Sequence, residues 1–203
     1  MKIIGIGRNY SDHAKELNNV LPTEPIVFMK PDTSLLKNNE PFYFPSFSSD
    51  IHHEIELVVK ISKEGKCIQE KFASKYYDEI GIGIDFTARD LQAKCKAKGL
   101  PWEMAKAFDY SAPMGKFIPK SKFADINNIP FHLDINGKTV QEGNTKDLLY
   151  SFDSVIEYVS KFVTLKMGDF IFTGTPSGVG PVAINDTLEA YIANEKLLEV
   201  RVK

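Results

Sequence analysis

The stretch Glu54-Ile55-Glu56-Leu57-Val58-Val59-Lys60-Ile61 alternates in character along its length. Successive side chains of a β-strand point to opposite faces, so Glu54 and Glu56 project together while Ile55, Leu57, Val59 and Ile61 face the other way. Two like charges side by side on an otherwise apolar strand repel each other unless a cation sits between them. The pair therefore reads either as a solvent-facing edge strand or as one side of a site built around positive charge.

Strand signals of this kind dominate the chain. They occur at 2–6, 26–29, 80–84, 131–135, 139–141, 169–173, 187–192 and 197–202. Asn136-Gly137 between two of them is a two-residue hairpin signature. Three helices are predicted, at 11–17, from Thr87 to Gly99, and at 152–163. The second has a Thr87-x-x-Asp90 spacing suited to an N-terminal cap and ends at Gly99 with Pro101 beyond. The third carries Phe152, Val155, Ile156, Val159, Phe162 and Val163 as a core-facing stripe. Strands in runs with few helices argue an α+β, mainly β fold in one continuous domain over 1–203.

Composition narrows the function classes. The 203 residues include 23 aromatics and carry a net charge of −2, which excludes a disordered chain. With 25 Lys and Arg against 27 Asp and Glu there is no global basic field for nucleic acid. Lys94, Lys96 and Lys98 form the one basic cluster, which reads as the solvated face of a helix. No apolar run approaches the ~20 residues of a membrane span. Cys67 and Cys95 show no paired or metal-binding spacing. Free thiols in a cytoplasmic protein are the expectation.

Two glycine-rich stretches deserve different weights. Gly5-Ile6-Gly7 after a strand imitates the opening of a dinucleotide fingerprint, but Tyr10 stands where the third glycine would pack. The other, Gly174-Thr175-Pro176-Ser177-Gly178-Val179-Gly180, lacks the Lys-Ser/Thr ending of a phosphate loop. It follows a strand, and so offers Thr175 and several amides at that strand's end.

Asp85 ends Ile80-Gly81-Ile82-Gly83-Ile84, whose alternating glycines let another backbone or a ligand come close. Glu54, Glu56 and Asp85 together make an oxygen-only donor set, suited to Mg²⁺ or Mn²⁺ rather than zinc. His52 and His53 precede the strand that opens at Glu54, and read as supporting or surface residues sooner than as metal ligands. Trp102 and Phe108 read as pocket wall or core.

Six ordered motifs now stand out: Gly7-Arg8-Asn9-Tyr10-x-x-His13-x-x-Glu16; Phe28-Met29-Lys30-Pro31; His53-Glu54-x-Glu56-Leu57; Gly83-x-Asp85-x-Thr87-x-Arg89-Asp90-x-Gln92; Pro101-Trp102-x-x-x-Lys106-x-Phe108-Asp109; and Thr173-Gly174-Thr175-Pro176-x-Gly178-Val179-Gly180. Together they resemble the fumarylacetoacetate hydrolase superfamily, most of all its compact acylpyruvase and oxaloacetate decarboxylase branch. The resemblance implies a mixed β-roll with a few peripheral helices, a homodimer, and Mg²⁺ or Mn²⁺ on Glu54, Glu56 and Asp85. It implies a His13–Glu16 pair on a lid helix. It also implies that Arg8, Gln92, Lys106 and Thr175 line the substrate pocket.

The implied substrates are small 2-oxo acids whose carbon–carbon cleavage leaves a pyruvate enolate. Lys106 would place a cation beside the enolate oxygens, Arg8 suits a carboxylate, Thr175 and its loop amides would bind one, and Gln92 would orient the enolate or a water. His13 and Glu16, three apart on a helix, share a face, so Glu16 could set the imidazole for His13 to deprotonate water. Two rivals stand: an isomerase or decarboxylase of 2-hydroxyhepta-2,4-dienedioate-type intermediates, and a non-catalytic, metal-dependent dicarboxylate binder.

Overall fold

The computed structural model describes residues 1–11 and 22–203. The predicted first helix lies, apart from Ser11, outside the described residues, and so do His13 and Glu16.

The described strands form three sheets. The largest has seven strands in the order β2-β1-β11-β5-β6-β8-β3. These are β1 (Ile3–Gly7), β2 (Ile26–Lys30), β3 (Leu35–Leu36), β5 (Ile55–Ile61), β6 (Tyr77–Ile84), β8 (Ala112–Pro119) and β11 (Phe170–Phe172). A four-stranded sheet runs β10-β9-β13-β14, from β9 (Pro130–Ile135), β10 (Lys138–Asn144), β13 (Thr187–Ile192) and β14 (Glu195–Arg201). A small third sheet joins β4 (Ile51–His53), β7 (Thr87–Ala88) and β12 (Gly180–Pro181). Strand β1 pairs parallel to β11, while β5 is antiparallel to both β11 and β6. This is the mixed, mainly β, α+β architecture that the pattern predicts.

Ile4, Ile6, Leu57, Val59, Ile61, Ile80, Ile82 and Ile84 point from the large sheet into the main core. Leu133, Leu188, Ala190 and Val200 of the four-stranded sheet join them, with Phe152, Val155, Ile156 and Val159 of a helix. The opposite face of the large sheet carries a smaller cluster of Ile3, Val58, Met114, Phe170 and Phe172. Glu54 and Glu56 share that second face, and β5 is thus buried on both sides rather than a solvent-facing edge.

Asn136 and Gly137 both take positive φ (54° and 76°), as the tight β9–β10 hairpin requires. Four helices are described: α1 (Glu70–Ala73), α2 (Arg89–Lys98), α3 (Glu103–Lys106) and α4 (Phe152–Phe162). Ser151 caps α4 by accepting from Ser154 N–H at 3.1 Å. Phe162, assigned to the core stripe from spacing, is 66% exposed, because α4 ends there. Helix α2 departs from its predicted start. It begins at Arg89 without a side-chain cap, since Thr87 belongs to β7 and its hydroxyl is used elsewhere. Its end agrees, with Gly99 left-handed at φ 62°. No described helix is long and apolar enough to cross a membrane.

The glycines of β6 meet the expectation of close approach in part. A Cβ on Gly83 would lie 2.7 Å from the Phe172 ring, and one on Gly81 would lie 2.8 Å from Phe117. Aromatic side chains take most of the space the glycines leave, and at Gly83 a backbone also comes close, with the Pro113 carbonyl 3.0 Å from the added Cβ.

Candidate functional site

Strand β5 faces β6 with Glu56 opposite Gly83, so the two glutamates and Asp85, just past the end of β6, meet at one end of the second face. Glu54, Glu56 and Asp85 are all buried, at 5%, 2% and 1% exposure. One carboxylate oxygen from each lies within 4.8 Å of the others. Concentrating three carboxylates in a buried space is costly unless cations and donors answer them.

Those answers come from four separate segments. Lys106, at the end of α3, places Nζ 2.8 Å from Glu54 Oε2, 2.6 Å from Asp85 Oδ2 and 2.6 Å from Thr87 Oγ1. Arg89, opening α2, donates to Glu54 Oε1 and to Gln92 Oε1, each at 2.7 Å. Lys30, ending β2, lies 2.7 Å from Asp85 Oδ1. It also donates to the Lys106 carbonyl and to Ser111 Oγ at 2.9 Å. The Gly174 amide donates to Glu56 Oε2 at 2.7 Å, which ties the glycine loop to the same cluster.

The electrostatics follow from this packing. Burial, then the neighbouring Asp85 and Glu54 charges, push the Glu56 carboxyl well above the usual carboxylate range. Burial alone would lower Lys106, but Asp85 and Glu54 outweigh it and hold the ammonium above its ordinary value. At Lys30 burial wins and the value falls, despite Asp85.

The cluster fits a hard divalent cation. Its donors are all carboxylate oxygens, the hard ligands that suit Mg²⁺ or Mn²⁺. Asp85 Oδ1 is paired with the Lys30 ammonium at 2.7 Å, and one oxygen from each of the three carboxylates lies within 4.8 Å of the others, a spacing that one ion can bridge. Glu54, Glu56 and Asp85 would hold the ion.

The surrounding cavity is small and is lined by Arg8, Phe28, Arg89, Gln92, Trp102, Lys106 and Thr175 besides the triad. Arg8, Gln92, Lys106 and Thr175, named from sequence, thus converge with Glu54, Glu56 and Asp85. His52 and His53 stand outside the carboxylate group. His52 Nε2 contacts Asp50 Oδ1 at 2.9 Å, and His53 Nδ1 contacts Gln141 Oε1 at 2.8 Å.

Lys94, Lys96 and Lys98 are all exposed, as a solvated face requires, and one of them does more. Lys94 and Lys98 point outward, but Lys96 lines the cavity and sits over the Trp102 ring, 5.6 Å from its centroid. Arg89, Gln92 and Lys96 recur at i, i+3 and i+7, which puts them on one side of α2. That spacing was visible in the sequence. Lys30 and Gln141 carried no comparable local signal.

Three comparisons bear on the chain. Residues 2–203 match the family model described as fumarylacetoacetate (FAA) hydrolase C-terminal. The oxaloacetate tautomerase FAHD1 of Homo sapiens, mitochondrial, is 43% identical over 94% of this chain and 86% of its own. A mitochondrial oxaloacetate decarboxylase of Dictyostelium discoideum is 46% identical over 94% of this chain and 88% of its own. Among solved structures, the fumarylpyruvate hydrolase of Pseudomonas aeruginosa, in complex with Mn²⁺ and pyruvate, superimposes with a TM-score of 0.94. It is 34% identical, and the match covers 100% of this chain and 89% of that one. With the family model spanning nearly every residue and relatives this similar over most of their length, the chain belongs to the fumarylacetoacetate hydrolase family.

Proposed function

We propose that this protein is a Mg²⁺- or Mn²⁺-dependent enzyme acting on small 2-oxo acids, with oxaloacetate as the first candidate. The observation that carries it is the buried Glu54, Glu56 and Asp85 triad with the Lys106 ammonium directly against it. The relatives named as an oxaloacetate tautomerase and an oxaloacetate decarboxylase, and the pyruvate-bound hydrolase, support the substrate class.

Keto–enol conversion, decarboxylation and acylpyruvate cleavage share one demand, which is charge developing on the 2-oxo oxygen. A divalent ion on the triad supplies a Lewis acid for that charge. Lys106, held cationic by Asp85 and Glu54, adds a fixed positive charge in the same cavity. Arg8 and Thr175 offer donors for the substrate carboxylate, and Gln92, fixed by Arg89, orients what lies beside them. Hydrolysis alone also needs an activated water, the part proposed for His13 and Glu16. We further propose a cytoplasmic homodimer.

The test is a panel of oxaloacetate and acetylpyruvate with Mg²⁺ present, following enol loss, pyruvate release and acyl cleavage separately. Oxaloacetate turnover that disappears in Glu56→Gln and with excess chelator is the expected outcome. Full activity in metal-free buffer, or none on any 2-oxo acid, refutes the reading. A His13→Ala variant should lower acetylpyruvate cleavage about 10²–10⁴-fold and oxaloacetate decarboxylation much less. An equal loss on both would make His13 a binding residue.

A further inference from the structure

Gln141 is 2% exposed and comes from the four-stranded sheet, far in sequence from either half of the site. A register irregularity between Thr139 and Gln141 marks a bulge in β10, and bulges re-aim side chains. Gly178, at φ 95°, packs against the bulged residue so closely that a Cβ there would lie 2.5 Å from the Val140 carbonyl. Strand β10 and the glycine loop are therefore seated on one another, with the Gln141 amide between them.

The hydrogen bonds of that amide allow one orientation. The Ile55 N–H can only donate, and it meets Gln141 Oε1 at 3.0 Å. The Pro176 carbonyl can only accept, and it meets Nε2 at 3.0 Å. Oxygen and nitrogen cannot be exchanged without breaking both. His53 Nδ1, 2.8 Å from the same Oε1, must then be the protonated nitrogen. The remaining Nε2 hydrogen goes to Thr175 Oγ1 at 2.9 Å. The Thr175 oxygen thus accepts from Gln141, and its own hydrogen is directed away from that amide.

We infer that Gln141 is a positioning residue that sets the Thr175 hydroxyl as a donor into the cavity, toward the carboxylate of a bound 2-oxo acid. One side chain thereby joins the strand between Glu54 and Glu56 to the loop that binds the anion. The inference rests on the proposed carboxylate-binding part of Thr175. Without the Nε2 donor nothing fixes the rotation of the hydroxyl, and opposite a carboxylate at position 141 it turns back and its hydrogen is lost to the ligand.

The decisive substitution is Gln141→Glu, which keeps the acceptor for Ile55 N–H and His53 and removes the donor half. Gln141→Met, of similar length, serves as the second variant. The readout is the affinity of the Mg²⁺-loaded protein for oxalate by calorimetry, which does not depend on turnover. Each variant should bind oxalate about tenfold more weakly, the equivalent of one charge-assisted hydrogen bond. In a Thr175→Val background the same substitutions should cause no further loss, whereas a general folding defect would weaken binding in both backgrounds. Wild-type affinity in Gln141→Glu, an equal loss in both backgrounds, or no effect of Thr175→Val alone overturns the inference. Absence of oxaloacetate turnover in a wild type that binds oxalate refutes the proposed function instead, and leaves this cycle intact.

Discussion

Lys96 shows how one residue changes its meaning once its helix is placed. Its ammonium is pushed down to about 8 by partial burial, then by Arg8 and Arg89, with Lys106 adding and Glu54 opposing. Cations gathered around a cavity favour a ligand with more negative charge than one carboxylate supplies. Lys96→Met should therefore raise KM for oxaloacetate about tenfold and leave acetylpyruvate, whose far end is neutral, nearly unchanged. The charged form binds the diacid, so wild-type affinity should fall as pH rises through about 8. Lys96→Met should lose that limb. Measuring both KM values from pH 7 to 9 checks it, and a parallel loss on the two substrates would contradict it. The legibility of the site follows the same logic. Glu54 and Glu56 were readable together because strand period puts them on one face, whereas Asp85, 29 positions beyond Glu56, was readable as the carboxylate that ends another strand pattern. Lys106 was readable only through family resemblance, since its partners lie 52 and 21 positions away. Gln141 was invisible, as its contacts reach 88 residues back to His53.

At the scale of elements, the period-2 signal found the long strands and failed at Ala112–Pro119. Pro113, Gly115 and Pro119 break the pattern there, although Pro113 stands opposite Leu36 of β3 and Pro119 opposite Glu79 of β6. The junction of β1 and β11 depends instead on one carboxylate. Asp169 accepts from Lys2 N–H and Lys166 N–H, each at 2.8 Å, and pairs with the Lys2 ammonium at 2.5 Å. Burial alone would raise its carboxyl, but these donors outweigh it and hold it below the ordinary value. A carboxyl lowered by folding contributes stability that is complete above its unfolded value, about 3.9, and is lost as pH falls through the folded one. Wild-type stability should therefore drop below about pH 4 more steeply than that of Asp169→Asn. At neutral pH the substitution should cost about 1–3 kcal/mol, because an amide turns a donor toward donors. Urea unfolding at pH 7 and pH 3 tests both parts, and identical slopes for the two proteins would count against the Asp169 account.

For the whole molecule, the question is whether folding needs the ion. Three buried carboxylates with nothing to balance them would make the metal a requirement, as in small domains that unfold without it. Here Lys30, Lys106 and Arg89 already stand within 2.8 Å of Glu54 or Asp85. Two apolar clusters, one on each face of the large sheet, add burial that owes nothing to the site. The metal-free chain should accordingly fold cooperatively, and a divalent ion should act on stability through mass action alone. At a hundredfold excess over its Kd, Mn²⁺ should add about 2.7 kcal/mol. For a chain of this length that corresponds to a rise in Tm of roughly 5–10 °C. Excess chelator should return Tm to the metal-free value without changing the far-ultraviolet circular dichroism. Glu56→Gln should abolish the rise while leaving the metal-free Tm at or above wild type, since it removes the carboxyl that burial and two neighbouring charges disfavour most. A chelated wild type that is unfolded at 25 °C would show that the lysines and Arg89 do not balance the cluster. A Glu56→Gln protein still stabilised by Mn²⁺ would move the ion to other ligands.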